Sequence, residues 1–201
     1  MKKLLPVFSY IFHPVFIPVY ATLYYLFLNN SNFGNQEKYF ILFQITGITI
    51  LIPLLFFFIL RYSGKIGSIM APTLSERKLP LLIQCFLIIL LVRNSITVER
   101  YMQLHFFLLG ALFSTLIALL LLFVKTKASL HMMGISAFTL FVFGLTLHYQ
   151  TQNVALVLFL ILMNGFVASS RLVMKAHTSI ELIMGILLGT IPQILLLFLW
   201  L

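Results

Sequence analysis

Acidic residues are scarce in this chain, which has four Asp and Glu against thirteen Lys and Arg among 201 residues. All charged residues together make up only 8%. A soluble domain needs about a quarter of its residues charged to stay solvated, so that class is excluded. Cysteine is equally sparse: the single Cys85 lies inside an apolar run, so there is no disulfide framework and no cysteine-based metal site. The start of the chain lacks a small-residue cleavage site, and the apolar stretch after Lys2 and Lys3 runs past signal-peptide length. The expectation is that the first helix stays in the product. Linkers, internal repeats and low-complexity tracts are also missing, so residues 1–201 are expected to form one domain. In place of charge there is apolar surface: 62% of the residues are hydrophobic and the mean hydropathy is +1.11. The chain reads as an integral membrane protein.

A helix needs roughly 20 apolar residues to cross a hydrocarbon core. Runs of that kind are placed at about 4–28, 39–60, 79–94, 103–124, 130–149, 153–170 and 177–200. The fold class is therefore an all-α polytopic transmembrane bundle of six to seven spans. The third run is short and needs Arg93 to snorkel. The first is interrupted by Pro6, Pro14 and Pro18 beside His13, which predicts a kink or a partly interfacial segment. Gln44, Gln84, Asn164 and Gln193 fall within spans, where polar side chains either tie helices together or line a path. Gly185 and Gly189, four residues apart, read as a close-packing face. Trp200 reads as an interfacial anchor.

Alternating spans bring the segments around 61–78, 125–131 and 170–177 to the membrane face that also holds the N-terminus. Arg61 to Lys78 is the longest polar stretch and includes Glu76, Arg77 and Lys78. The second segment holds Lys125, Lys127, Ser129 and His131, and the third Ser170, Arg171, Lys175 and His177. Three distant loops thus deliver cations, hydroxyls and two histidines to one surface. The opposite face receives Glu37, Lys38, Arg93, Glu99, Arg100, His105 and His148, and these two histidines read as interfacial side chains. A basic surface with helix N-termini suits an anion with several oxygens, phosphate above all. The membrane suggests that this anion carries a lipid tail. The competing reading is topogenic, because Lys and Arg collect on one side of any polytopic protein. That rule accounts for the charges but not for the histidines.

The densest cluster is Ser170, Arg171, His177 and Glu181. His177 and Glu181 stand at i and i+4, on one helical face. A carboxylate there fixes the tautomer of the imidazole and stabilises its cation, as a nucleophilic histidine requires. A snorkelling Arg with an interfacial His is the plain alternative.

These residues resemble the motifs of the type 2 phosphatidic acid phosphatase superfamily, which comprises membrane lipid phosphatases and related acid phosphatases. Its third motif, SRxxxxxHxxxD, matches Ser170, Arg171, His177 and Glu181 at every spacing, with Glu in place of Asp. Its second, PSGH, resembles Ala128, Ser129, Leu130 and His131, without the proline and glycine. Its first, KxxxxxxRP, is faintly similar to Glu76-Arg77-Lys78-Leu79-Pro80, with no counterpart placed for the leading lysine. The resemblance spans roughly residues 60–190 and marks a divergent member.

The resemblance implies a metal-independent, cofactor-free phosphatase acting on a lipid phosphomonoester or diphosphate. Its catalytic residues would be His177 as the nucleophile that becomes phosphohistidine, Glu181 as its orienting carboxylate, and His131 as general acid and base. Arg171, Arg77 or Lys78, and Ser129, beside Ser170, would hold the phosphoryl oxygens. The partners would be the lipid phosphate and the bilayer, without nucleic acid, and the location a bacterial inner (plasma) membrane. Two departures point the other way. Leu130 adds a side chain where glycine lets backbone approach phosphate, and Glu181 is one methylene longer than Asp. They keep open a catalytically degenerate relative that binds or translocates lipid phosphates. A mixed metal set of His131, His177, Glu181 and Glu76 is a further alternative, opposed by Arg77, Lys78, Arg171 and Lys175, which would repel a divalent ion. Ten of the thirteen Lys and Arg lie on the motif-bearing face, which the positive-inside rule makes cytoplasmic. The resemblance implies a site opening the other way, and the charge bias favours the cytoplasmic side.

Overall fold

The computed structural model describes residues 4–28, 31–64 and 74–201. Lys2, Lys3, Lys65 and the middle of the polar stretch lie outside them. Every regular element among the described residues is helical. In chain order these are α1 (Leu5–Ile11), α2 (Ile17–Leu28), α3 (Asn35–Thr46), α4 (Ile52–Tyr62), α5 (Leu74–Asn94), α6 (Val98–Phe123), α7 (Leu130–His148), α8 (Val154–Val173) and α9 (Ser179–Leu197). A π-helical turn, Gly47–Leu51, joins α3 to α4 into one continuous rod.

Among the described residues, five helices are long and apolar enough to cross a membrane: Asn35–Tyr62, Val98–Phe123, Leu130–His148, Val154–Val173 and Ser179–Leu197. The other two expected runs differ for physical reasons. Residues 4–28 do not form one helix, because Pro14 and Pro18 cannot donate backbone N–H groups and Pro14 disfavours helical geometry at His13. The chain therefore breaks between α1 and α2. The run at 79–94 extends backward to Leu74, so α5 carries Glu76, Arg77 and Lys78 in its first two turns.

At the centre stands α7, with twelve of its residues buried and α9, α8, α2 and α6 around it. Between helices in lipid there is little hydrophobic drive, so close approach of backbones matters more. Gly185 and Gly189 provide it: a Cβ at Gly185 would come within 2.5 Å of the Ser129 carbonyl, and one at Gly189 would collide with Ser136 and the Met133 carbonyl. Pro192, inside α9, leaves the Leu188 carbonyl without its helical donor. The Ser114 hydroxyl donates to that oxygen at 2.6 Å, so the defect becomes an α6–α9 tie. Gln193 donates to the Phe107 carbonyl at 2.9 Å, in space left by Gly110. Asn164 bridges α8 to α7 by donating to Thr139 at 2.8 Å. Trp200, expected as an interfacial anchor, instead turns its ring into the bundle. It is buried, packed on Phe141 and His148, where Gly144 leaves room for its ring.

Helices α6 and α8 end alike. Lys125 and Lys175 adopt left-handed backbone angles, with φ of 60° and 52°. The following N–H groups, of Thr126 and Ala176, donate back to Leu121 and Arg171. This closure satisfies the last carbonyls and turns the chain sharply. It sends residues 126–129 and 176–178 over the same end of the bundle.

Candidate functional site

That end of the bundle is where the motif residues meet. Thr178 caps α9: its hydroxyl accepts from the Glu181 N–H at 3.3 Å, and the Glu181 carboxylate accepts from the Thr178 N–H at 3.2 Å. This reciprocal capping box fixes the first turn of the helix. The same carboxylate oxygen lies 2.8 Å from Nδ1 of His177 and 3.5 Å from Nζ of Lys127. The carbonyl of Glu181 accepts from the Ser129 N–H at 3.0 Å. Glu181 therefore ties Lys127 and Ser129 to the start of α9, the first through its side chain and the second through its backbone.

With Nδ1–H donated to Glu181, the neutral His177 ring keeps its lone pair on Nε2. The imidazole is almost fully buried, with 2% of its side chain exposed. Burial lowers its pKa to about 4, assisted by Arg171 and Arg77 and opposed by the hydrogen bond to Glu181. It is thus a neutral base at physiological pH.

Arg171 is 7% exposed, and among the described residues its Nε finds no hydrogen-bond partner. One terminal nitrogen reaches the Met174 sulfur, at 3.9 Å. Arg171 interacts electrostatically with Arg77 and with both His131 and His177. Arg77 in turn lies within the field of Glu181. Two guanidinium groups and two imidazoles thus act on one another beside the Glu181 carboxylate, which already engages His177 and Lys127. A shallow groove beside Arg77 is lined by Leu81, Ala118, Leu122, Ala128 and Leu130.

The predicted site residues divide accordingly. Arg77, His131, Arg171, His177 and Glu181 come together. Ser129 is fully buried and caps α7, accepting from the Met132 N–H at 3.5 Å, so its hydroxyl is engaged locally. Ser170 is likewise buried and shares a hydrogen bond of 2.6 Å with Ser9. Lys78 is turned to the Phe123 ring, 4.5 Å from its centroid, away from the cluster. No group of three His, Cys, Asp or Glu among the described residues is arranged to hold a metal ion. On the opposite end, His105 bonds the Ile96 carbonyl and His148 bonds Gln103 and the Leu201 carbonyl.

Two participants were not expected at the site. The ring of His13 stands perpendicular to that of His131, with centroids 5.0 Å apart, and Ser9 anchors α1 beside Arg171. The signal for His13 lay in Pro14, which forces a break at a histidine. Compared with models of protein families, with curated proteins and with solved structures, the chain matches none.

Proposed function

We propose that this protein is an integral membrane phosphatase that hydrolyses a lipid phosphomonoester or diphosphate through a phosphohistidine on His177, as a divergent relative of the type 2 phosphatidic acid phosphatase superfamily. The observation that carries the reading is the buried Arg171 guanidinium, its Nε unpaired, facing a histidine whose Nδ1 is tied to a carboxylate. A buried guanidinium without a carboxylate is costly unless an anion joins it. A phosphoryl group supplies that anion and places its phosphorus near the one imidazole prepared to attack.

In the first step, Nε2 of His177 bonds to phosphorus as the bond to the lipid oxygen breaks, and His131, which must enter this step as the imidazolium, gives a proton to that oxygen and becomes neutral. In the second, His131 takes a proton from water, the water oxygen bonds to phosphorus, and the nitrogen–phosphorus bond breaks to release inorganic phosphate. Arg171 and Arg77 hold the oxygens that gain charge, and Glu181 stabilises the imidazolium character that His177 acquires. In this reading the bundle has six or seven spans: α5 crosses with its basic end at the site, and α1 with α2 makes one kinked crossing. Ser9 near one end of α8 and Tyr24 bonded to Asn153 at the other support that path. The host membrane would be a bacterial inner membrane.

A second reading, a degenerate relative that binds or translocates lipid phosphates without cleaving them, is favoured by Leu130, which lines the groove where the superfamily motif has glycine. The deciding experiment is phosphate release by the detergent-solubilised chain from a panel of lipid phosphates and diphosphates in EDTA. Release that persists in EDTA and vanishes in His177→Ala is the expected result. Binding without release, by folded protein, establishes the second reading.

A further inference from the structure

The break between α1 and α2 does more than bend a helix. It places His13 against α7 and α8, and three independent contacts hold it there. The Ser9 hydroxyl meets that of Ser170, immediately before Arg171. Phe8 stacks on Phe166 with centroids 4.7 Å apart. On the other side, Gly134, one turn beyond His131, leaves space that Ile17 and Pro14 fill: a Cβ there would lie 3.1 Å from Ile17 and 3.6 Å from Pro14 Cα. The segment 12–16 is therefore a wall of the site, wedged between the helices that carry His131 and Arg171.

The orientation of the ring is also set. Nδ1 of His13 accepts from the Val15 N–H at 3.4 Å, so in the neutral imidazole the proton resides on Nε2. His13 is thus held as a donor through Nε2–H. It lies within the field of Arg171 and edge-on to His131. A donor imidazole next to a buried guanidinium has no use as a helix tie, but it adds one more hydrogen bond to an anion that the guanidinium attracts.

We propose that His13 is a third imidazole of the site and donates a hydrogen bond from Nε2–H to an oxygen of the bound phosphoryl group. The inference rests on the phosphate reading of the Arg171 cluster and extends it to a segment outside all three motifs. The N-terminal helix pair is then part of the binding machinery as well as of the scaffold.

Two substitutions separate donor from filler. His13→Phe keeps a ring against His131 without N–H, whereas His13→Gln restores an N–H near the position of Nε2 with poorer packing. Two readouts are needed: phosphate release from the best lipid substrate, and binding of inorganic phosphate followed by phosphorus NMR in the His177→Ala background. Loss of one hydrogen bond to a charged group is expected to lower kcat/KM, and to weaken phosphate binding, by about 10- to 100-fold in His13→Phe. His13→Gln should recover most of that loss despite its lower thermal stability. The opposite order, with Phe as good as His and Gln worse, makes His13 a packing residue and overturns the proposal. If the unaltered chain binds inorganic phosphate but releases none, the binding readout alone decides the role of His13. If it neither binds nor releases phosphate, the phosphate reading itself falls, and this inference with it.

Discussion

Opposing influences decide the charge of His177. Burial disfavours the imidazolium, and Arg171 and Arg77 disfavour it further, while Glu181 favours it; burial wins and the pKa lies near 4. Above that value the ring is neutral with Nε2 available, and below it the ring is a cation that cannot attack phosphorus. As the proposed nucleophile, His177 therefore needs no deprotonation at neutral pH. In histidine-labelled protein, the resonance that disappears in His177→Gln should hold its neutral shift from about pH 8 down to about pH 5 and titrate near 4. A midpoint near 6.5 would mean that burial does not govern this ring. That His177 and Glu181 meet was legible from their spacing, but not how. They were expected on one helical face, whereas His177 precedes the Thr178 cap and lies outside α9. The contact forms because the capping box turns the Glu181 side chain back over the helix start. The consequence of glutamate was not legible either. Its extra methylene lets one carboxylate reach His177, its own helix cap and Lys127 together, a function that depends on the loop between α8 and α9 and not on any local pattern.

Among the elements, α9 against α7 carries the site. Gly185 lies on the Ser129 carbonyl, and Ser129 hangs from Glu181 by its N–H. A methyl group at Gly185 pushes on backbone, which cannot swing aside as a side chain can. Gly185→Ala is expected to destabilise the protein by about 1–3 kcal/mol. It should also depress phosphate release beyond the loss of folded protein, since it separates Ser129 from Glu181. Gly165, in α8, has nothing within 4 Å of the position that a methyl group would take; Gly165→Ala is expected to be neutral or stabilising by about 0.5–1 kcal/mol, as for any unhindered helical glycine. Unfolding midpoints of the two variants in the same detergent check the contrast, and equal effects would refute it. The spacing of Gly185 and Gly189 was readable as a packing face, because only small residues let helices approach in lipid. Their partner was not readable, since one helix offers no record of which neighbour it meets. The ends of α7, α8 and α9 were legible to within about three residues by hydropathy, whereas α6 begins at Val98, ahead of the expected 103, because its first turn holds Glu99 and Arg100. The start of α5 was not legible either, since its first two turns are charged and look like loop.

Taken whole, the molecule is polarised. Arg77, Lys78, Lys125, Lys127, Arg171 and Lys175 lie at the site end, and Lys38, Arg93 and Arg100 at the other. Some of the first group are accounted for by the site: Arg77 and Arg171 face the cluster, and Lys127 pairs with Glu181. Lys125 and Lys175 are exposed at helix ends, where the positive-inside rule reads them as topological signals. A positively charged loop is retained in the cytoplasm, which predicts that the site opens there. Cys85 is the sole cysteine and is buried, so Cys85→Ala gives a background for single cysteines placed at Lys125, Lys175, Gln36 and Gln152, all exposed. In intact cells a membrane-impermeant maleimide should label positions 36 and 152, and label 125 and 175 only after the cells are opened. The reverse pattern would place the site outside the cytoplasm and make the lysines part of the substrate's electrostatic field instead of its topology. Labelling of 125 and 175 from different sides would break the shared face on which the whole cluster depends, because α7 and α9 could not then bring Ser129 and Glu181 together.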